Sequence, residues 1–505
     1  MLDKFWEDLK CGGAVRGAAE QDGPDGLTDE AVRRVMDGFV LWLSEKAGKA
    51  PAQLRVSVGH DPRPSAGRIQ RAAVEALRRA GVHVLLCHLV PSPALFSATA
   101  RLGCAAAVQI TGGNGPASRN GLLFFTRAGV PGDSDMEAIL QHAQAGDAPA
   151  AGEGAVEDAD CMAAYSARLR GVLCGGLPAP DGRPLAGLHV VVDAGNGAGG
   201  FFAADVLAPL GADLSGSQFL EPDGAFPNHA PDPADGAARA SLRRAVKRAR
   251  ADLGILFDTD AGSIGVVDGA GRDISGCRLA ALAIAVCLGE HPGATVATDP
   301  VMGDGLRAFI EDVCGGRQRR FRCGLRHVAA QARRLNAAGT DCPLAVMADG
   351  RAALRENGFL CDGAYLAAKL LAQLVRLRRG GGGLADLLRG LPEPAEWADL
   401  RLPVQAEDFQ AASAEILQSL RQCASHQPHW RLDPGVCEGV RIRFDARAGD
   451  GWAMLRAGTR GHAMPLHIES NLVSGVQLIA SQLYVNLRKH KALNVAPVEE
   501  YIANY

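Results

Sequence analysis

The sequence predicts an α/β fold of repeated units, with a smaller α+β region at its C-terminal end. Residues 54–87 carry the patterns of a strand, a helix and a second strand, and this order predicts a βαβ unit. Similar patterns begin again at residue 188 and near Ala294. From about residue 395 the pattern changes to strands joined by short loops and a final helix. These three observations favour an internally repeated architecture.

The first unit begins with an amphipathic helix over residues 28–48. This segment has an acidic first turn, apolar residues at helical spacing and a terminal Gly48. A strand at 54–58, a helix at 67–80 and a strand at 82–87 follow, which predicts parallel strand pairing. Residues 145–160 are small, acidic and without periodicity, so we expect an exposed connection there.

The later units show the same signals. Continuous apolar runs predict buried strands in the second unit, at 188–192, 251–257 and 264–267. The third unit runs from a strand near Ala294 to a strand at 344–347. In the C-terminal region we expect strands at 439–444, 451–456 and 466–469, and an amphipathic helix at 474–488.

Composition excludes several classes of protein. The chain has 505 residues, which is enough for roughly three or four domains. Its hydrophobic content of 47% and charged content of 22% are typical of a soluble globular protein. Lys and Arg number 53 against 56 Asp and Glu, so no charge excess indicates a nucleic-acid or membrane-surface partner. No apolar run reaches the ~20 residues that span a bilayer.

Cysteine usage bears on the compartment. The thirteen cysteines include no C-x-x-C pair, which favours reduced thiols over a disulfide framework or a zinc site. The first residues, MLDKFWEDLK, lack the apolar core of a signal peptide. We therefore expect a cytoplasmic protein or, after removal of a transit peptide, one of an organelle matrix or stroma.

A Gly-rich loop within residues 110–125 is the most distinctive stretch. This loop joins two apolar runs. In α/β proteins, loops of this kind present backbone groups and a nucleophile to a ligand. Gly113 has no side chain, and Asn114 is either a ligand-binding residue or an ordinary turn residue. Ser118 is either a relocated nucleophile or a second turn residue. The loop has the form of an active-site loop without its attacking group.

Five motifs occur in a characteristic order along the chain. They are VDAGNGAGG at 192–200, EPDGAFPNH at 221–229, ADLGILFD at 251–258, LREN at 354–357 and CDGAY at 361–365. Together they resemble the α-D-phosphohexomutase superfamily, which includes phosphoglucomutases and phosphomannomutases, and are closest to its plant and algal branch. The resemblance covers nearly the whole chain.

The resemblance implies three repeated α/β phosphohexomutase domains and a fourth, TATA-binding-protein-like α+β domain around one central cleft. We place these domains at residues 1–175, 176–290, 291–392 and 393–505. In the family they carry, in that order, a phosphoserine loop, a metal loop, a sugar-binding loop and a phosphate-binding loop.

The implied reaction moves a phosphoryl group between two hydroxyls of a hexose phosphate through a phosphoserine. The resemblance places that serine at Gly113 and the acid/base lysine, ten residues on, at Leu123. Covalent catalysis needs an activated oxygen, and its proton needs an acceptor. We therefore expect no catalytic residue in this loop.

The family's metal loop holds Mg²⁺ with three aspartates. Asp258 and Asp260 remain here, whereas Gly262 takes the third position and Ser263 that of a substrate-facing arginine. Because Mg²⁺ favours octahedral oxygen ligands and strong anionic charge, we expect a weak or vacant site and no bound cofactor. The alternative is that the two acids are loop residues that cap a helix.

The last two loops are also altered. Met347 takes the position of a sugar-binding glutamate, and Gly458 that of a phosphate-binding serine. Residual positive charge could still bind a phosphate or a carboxylate. The residual candidates for this are Arg16, Arg351, Arg456, Thr459 and Arg460. The alternative for the residues at 456–460 is a solvated loop, and we expect His462 and His467 to be ordinary histidines.

These losses predict a catalytically inactive phosphohexomutase-like protein, kept as a structural or binding subunit of a larger complex. Two alternatives stay open. One is an active enzyme, either a diverged phosphoglucomutase/phosphomannomutase or one that uses another residue, and the other is a sugar-phosphate sensor without turnover. The expected partners are protein subunits or a sugar phosphate, without nucleic acid.

Overall fold

The computed structural model of the chain describes residues 2–20, 26–177, 179, 181–458 and 462–504. The chain forms two compact units. The first comprises Met1–Val286 and Asp349–Leu387, and the second comprises Cys287–Ala348 and Leu388–Tyr505. Within the described residues, every helix is too short or too polar to cross a membrane.

The strands are numbered in chain order. They are β1 (Lys10–Cys11), β2 (Ala14–Ala18), β3 (Arg55–His60), β4 (His83–Leu89), β5 (Ala106–Ile110), β6 (Arg119–Thr126), β7 (Val156–Asp158), β8 (Val190–Asp193), β9 (Leu253–Phe257), β10 (Ile264–Asp268), β11 (Asp273–Ile274), β12 (Thr295–Thr298), β13 (Arg317–Arg320), β14 (Leu344–Val346), β15 (Ala352–Leu354), β16 (Leu360–Cys361), β17 (Glu396–Pro403), β18 (Trp430–Leu432), β19 (Val440–Phe444), β20 (Gly451–Leu455) and β21 (Ala463–Ser470).

The α-helices are numbered in the same way. They are α1 (Lys4–Leu9), α2 (Asp29–Ala47), α3 (Ala66–Arg79), α4 (Ser92–Arg101), α5 (Asp133–Ala145), α6 (Met162–Cys174), α7 (Gly236–Ala249), α8 (Cys277–Glu290), α9 (Asp304–Ala308), α10 (Leu325–Ala337), α11 (Gly363–Arg379), α12 (Phe409–Ser425), α13 (Gly475–Leu487) and α14 (Ala496–Ala503).

A seven-stranded sheet in the order β1-β2-β6-β5-β3-β4-β7 organises the N-terminal part of the first unit. Strand β3 pairs in parallel with both β4 and β5, which confirms the predicted βαβ unit. The prediction for residues 145–160 was incomplete, because β7 pairs in parallel with β4 there. The three residues of β7 are exposed, so this edge strand has no apolar pattern to reveal it.

Helix α2 covers one face of this sheet. The side chain of Thr28 accepts a hydrogen bond from the Ala31 backbone, and the helix ends at Gly48 in the left-handed conformation. Within the core, Phe39 of this helix stacks on Phe124 of β6 with ring centroids 4.6 Å apart. The predicted amphipathic helix is confirmed.

A second sheet of the first unit has the order β11-β10-β9-β8. Strand β8 is parallel to β9, and β10 returns antiparallel to it. The three predicted strands at 188–192, 251–257 and 264–267 are confirmed with boundaries shifted by up to two residues. Strands β15 and β16 form a short antiparallel pair in the same unit.

The second unit contains parallel strands in the order β13-β12-β14 and an antiparallel sheet in the order β17-β21-β20-β19-β18. The predicted C-terminal strands and the helix at 474–488 are confirmed, but that helix is not the final one, because α14 follows it. Strand β21 is longer than predicted because it pairs along its whole length with β17. Helices α12 and α13 pack on this sheet around a core that includes Leu420, Ile468 and Ile479.

Candidate functional site

The carboxyl ends of three parallel strands place polar side chains at one edge of the first sheet. Asp61 directly follows β3, Ser92 begins the helix after β4, and Thr111 directly follows β5. All three are buried. Parallel strands end at the same edge, which is where α/β proteins bind ligands. The site is therefore built by topology from residues far apart in sequence.

The Gly-rich loop is hydrogen-bonded to Arg63, whose side chain is fully buried. The guanidinium is paired with Asp61 and donates to the Gly113 carbonyl at 2.7 Å. The Thr259 hydroxyl donates to the same carbonyl at 3.1 Å. The Gly113 amide donates to Thr111 Oγ1 at 3.0 Å. Three hydrogen bonds therefore fix the backbone of the loop at Gly113.

Gly113 faces Arg16, which lies in β2. A Cβ atom built on Gly113 would be 2.6 Å from both terminal nitrogens of Arg16. The backbone φ of Gly113 is +56°, in the left-handed region that favours glycine. The Arg16 guanidinium thus fills the position in which the family resemblance places the serine side chain. This brings a positive charge to the loop, while binding of a phosphate by Arg16 stays a prediction.

Asp258 and Asp260 lie in the loop between β9 and β10, and both are buried. Asp258 accepts hydrogen bonds from the Gly262 amide at 2.7 Å and from the Ser263 hydroxyl at 2.5 Å. Asp260 accepts a short hydrogen bond from the Ser92 hydroxyl. Each acid therefore faces one serine hydroxyl, and neither caps an α-helix through these contacts.

Burial is the largest cause that raises the pKa of both acids. The charge of Asp260 further raises the pKa of Asp258, while Asp61 adds to the rise at Asp260. Such a pair gains from a nearby cation. The described residues contain no group of three or more His, Cys, Asp or Glu side chains that could hold a metal ion. The two carboxylates have the oxygen chemistry of a Mg²⁺ site that phosphate oxygens complete, since Mg²⁺ is commonly held by one or two carboxylates plus substrate phosphates.

The other predicted site residues are divided between the two units. Leu123 is half-buried in β6. In the first unit, Arg351 pairs with Asp349 at 2.7 Å. Met347 is buried in the second unit, where the backbone amide of Arg456 donates to the Pro465 carbonyl at 3.2 Å. Thr459 and Arg460 lie outside the described residues.

The remaining candidates form contacts within the protein. The Asn114 side chain donates to Asp232 at 2.9 Å, and the Ser118 carbonyl accepts from the Ala19 amide. His462 stacks on Phe409 with centroids 5.3 Å apart. His467 lies between two carboxylates in the second unit. Contacts of this kind are typical of residues that stabilise the fold.

Sequence reasoning missed Ser92. The signal was available, because this serine follows the apolar run of β4 and precedes Pro93 at the start of a helix. Its partner Asp260 is 168 residues away, so the pairing itself could not be read from the sequence.

Comparison with known proteins identifies the relationship. The family models of the phosphoglucomutase/phosphomannomutase α/β/α domains I and II match residues 12–150 and 181–271. The chain is 28% identical to the phosphomannomutase/phosphoglucomutase of Pseudomonas putida, over 87% of this chain and 89% of that protein. It is 31% identical to the phosphoglucosamine mutase of Rhodococcus erythropolis, over 75% of this chain and 82% of the relative.

A solved structure shares the fold. The phosphoglucomutase/phosphomannomutase family protein of Burkholderia thailandensis superposes with a TM-score of 0.80 at 24% identity, covering 97% of this chain and 98% of that one. This likeness supports a mixed α/β phosphohexomutase fold with several sheets.

These relatives correct the expectation of an inactive subunit, which was wrong. The relatives that align along most of the chain are named as mutases, and none of the findings indicates loss of activity or a larger complex. The physical reason for the error lies in the site. The expectation counted lost side chains at Gly113 and Leu123, whereas Ser92 and Ser263 place buried hydroxyls against the two aspartates.

The resemblance to the superfamily is confirmed by the domain matches and by the relatives along the chain. The relatives reported above are bacterial, so they give no support to the narrower expectation of a plant or algal branch. The chain belongs to the phosphoglucomutase/phosphomannomutase family of the α-D-phosphohexomutase superfamily.

Proposed function

We propose that the chain is a diverged hexose-phosphate mutase, an intramolecular phosphotransferase that uses a relocated phosphoryl carrier. The observation that carries this proposal is the alignment with a phosphomannomutase/phosphoglucomutase over 87% of the chain and 89% of that relative. The substrate class is a hexose phosphate with a second, free hydroxyl.

The carrier we propose is Ser92. Gly113 cannot carry a phosphoryl group, and Arg16 fills its side-chain position. The Ser92 hydroxyl already donates to Asp260, so its proton has an acceptor in place. Ser92 is also the first residue of α4, and the positive end of the helix dipole there favours a phosphate group.

The reaction then has two balanced halves. Phosphoserine 92 transfers its phosphoryl group to the free hydroxyl of the sugar phosphate, which gives a bisphosphate. Asp260 accepts the proton of the sugar hydroxyl and donates a proton to the departing Ser92 oxygen. In the second half the other phosphoryl group of the bisphosphate moves to Ser92, with the proton steps reversed.

Charge in the site supports phosphate binding. Asp258 and Asp260 would hold Mg²⁺ together with phosphate oxygens, and the ion would neutralise negative charge on the transferred group. Arg16, beside the Gly-rich loop, and Arg351 supply positive charge in the first unit. Arg456, in the second unit, stays a candidate for binding a phosphate.

We further propose that the chain has four domains with boundaries at residues 1–175, 176–290, 291–392 and 393–505, the last of them TATA-binding-protein-like. The grouping of strands β1–β7, β8–β11 and β17–β21 into separate sheets supports this division.

An enzyme-linked mutase assay tests the proposal. Glucose 1-phosphate, mannose 1-phosphate and glucosamine 1-phosphate are supplied separately, each with its 1,6-bisphosphate. We expect turnover with at least one substrate and a phosphorylated Ser92 peptide by mass spectrometry after incubation with bisphosphate. Ser92→Ala should lose turnover by about 10³-fold or more, as for loss of a nucleophile.

Ser263→Ala is the matched control, because this serine is also buried and donates to the neighbouring Asp258. The Ser263→Ala variant should still become phosphorylated at Ser92. Absence of turnover with every substrate would refute the mutase proposal. Turnover that Ser92→Ala leaves unchanged would refute the assignment of the carrier.

A further inference from the structure

Two cysteines outside the proposed active site lie in direct contact. The Sγ atoms of Cys87 and Cys161 are 2.8 Å apart, and both residues are buried. Cys87 belongs to β4, and Cys161 directly precedes α6. They are 74 residues apart in sequence, so the fold alone brings the two thiols together.

A cavity of about 330 Å³ gives small molecules access to the pair. Both cysteines line this cavity, together with His88, Asp158 and Met162. A molecule of the size of hydrogen peroxide fits such a volume easily. The pair therefore differs from Cys104, which is also buried in this domain but is not among the cavity-lining residues.

The surroundings distinguish the two thiols. The two thiols are hydrogen-bonded to each other, and this contact with Cys87 is the largest cause that lowers the pKa of Cys161. The positive charge of Arg101 acts in the same direction, while burial and the charge of Asp160 oppose both. Arg101 lies next to Cys161 in the structure, because its guanidinium donates to the backbone carbonyl of the preceding residue at 3.0 Å. We therefore take Cys161 as the thiol that reacts first.

We propose that Cys87 and Cys161 form an oxidisable dithiol that closes to a disulfide when peroxide enters the cavity. The Cys161 thiolate attacks one peroxide oxygen, the O–O bond breaks, and with one proton the products are a sulfenic acid and water. The Cys87 sulfur then attacks the Cys161 sulfur, the S–O bond breaks, and a second water leaves. The two sulfurs together lose two electrons, and peroxide is reduced.

The disulfide would covalently stabilise the edge of the seven-stranded sheet at which β7 pairs with β4. Strand β7 is a short, exposed edge strand held to β4 by backbone pairing at Val84–Val156 and Leu86–Asp158. The two cysteines lie directly beyond this pairing, in β4 and after β7. A covalent link there restricts the opening of residues 156–161 away from β4.

Peptide mapping of the full-length native protein tests the proposal. The reduced protein is treated with hydrogen peroxide, remaining thiols are alkylated, and the digest is analysed without reduction. We expect a peptide pair joined through Cys87 and Cys161, which dithiothreitol separates. Hydrogen exchange of the amides in β7 should become slower in the oxidised protein.

Cys161→Ser and Cys104→Ser are the matched variants. Cys161→Ser should abolish the joined peptide and the change in exchange, whereas Cys104→Ser should keep both. The exposed cysteines Cys174, Cys277 and Cys437 report within the same sample that the oxidant was active. If these oxidise while Cys87 and Cys161 are recovered as free thiols from the wild-type protein, the proposal is refuted, whatever the variants do.

Discussion

The guanidinium of Arg16 occupies the space beside Gly113 in which a longer side chain would lie. Its two terminal nitrogens are 2.6 Å from the position of an ideal Cβ on Gly113. The glycine also has a φ of +56°. The absence of a side chain at Gly113 therefore leaves room for the Arg16 guanidinium, which keeps a positive charge at the loop.

Gly113→Ser should therefore destabilise the protein. The new Cβ contacts the Arg16 guanidinium and adopts an unfavourable φ, which we expect to cost about 1–3 kcal/mol of unfolding free energy. Urea denaturation measures this change. Gly12→Ser is the control for backbone conformation alone, because Gly12 has a φ of +61° and no atom within 4 Å of its Cβ position.

The double variant Arg16→Ala Gly113→Ser isolates the steric part of this effect. Removing the guanidinium should bring the cost of the serine close to that of Gly12→Ser. If Gly113→Ser costs no more than Gly12→Ser in the presence of Arg16, the two residues do not compete for the same space.

Local patterns of apolar and polar residues predicted many of the strands and helices. The strand at 54–58 was visible because its apolar residues alternate with polar ones, and the strand at 251–257 because most of its residues are apolar. Helix 28–48 was visible because of its acidic first turn, its apolar spacing and the terminal Gly48. Strand β7 was not visible, because a short exposed edge strand needs no apolar side. Its pairing with β4 comes from backbone hydrogen bonds, which leave no trace in residue type.

The site was less predictable for a different reason. The Ser92–Asp260 and Cys87–Cys161 contacts join residues 168 and 74 positions apart, so they depend on how the sheets pack. The resemblance to the family pointed to the Gly-rich loop and the two aspartates as parts of the site, which stays a prediction. It led to a wrong conclusion about activity, because it compared only the positions that carry chemistry in the family.

Arg441 should be a stability determinant of the second unit. Its buried guanidinium lies 3.4 Å over the Trp452 ring, pairs with Asp304 at 3.2 Å and donates to the Pro300 carbonyl at 2.8 Å. Arg441→Ala leaves Asp304 with less compensation and a cavity beside the ring. We expect a loss of about 3–5 kcal/mol of unfolding free energy.

Arg443→Ala is the matched control for Arg441→Ala. Arg443 pairs with the same Asp304 at 2.8 Å, but its side chain is 41% exposed. Because this arginine is already partly solvated in the folded protein, its removal leaves no buried cavity, so we expect a loss below about 1 kcal/mol. Equal losses in both variants, measured by urea denaturation, would contradict the importance of burial.

His467 should make stability depend on pH in the alkaline range. Burial alone would lower its pKa, but hydrogen bonds to Asp399 at 2.7 Å and Glu469 at 3.2 Å outweigh it and raise the pKa to about 9. Because the folded pKa is above the unfolded value of about 6.5, the contribution is complete below pH ~6.5. It is lost as the pH rises through about 9.

Denaturation at a series of pH values checks this prediction. Between pH ~6 and ~10 the wild type should lose about 1–3 kcal/mol more unfolding free energy than His467→Gln. His429→Gln should behave as the wild type, because His429 pairs with Asp445 at the surface. An identical pH profile for the wild type and His467→Gln would rule out the protonated histidine as a stabilising group.

Metal removal should suppress the proposed mutase activity if Asp258 and Asp260 hold Mg²⁺ with the substrate phosphates. Chelation by EDTA should abolish turnover, and added Mg²⁺ should restore it. Asp258→Asn removes one anionic ligand while leaving the Ser92–Asp260 hydrogen bond, so we expect a loss on the order of 10²-fold. Asp213→Asn, at an exposed aspartate, should keep full activity. Turnover that is unchanged by EDTA would show that the two buried carboxylates serve the reaction without a metal ion.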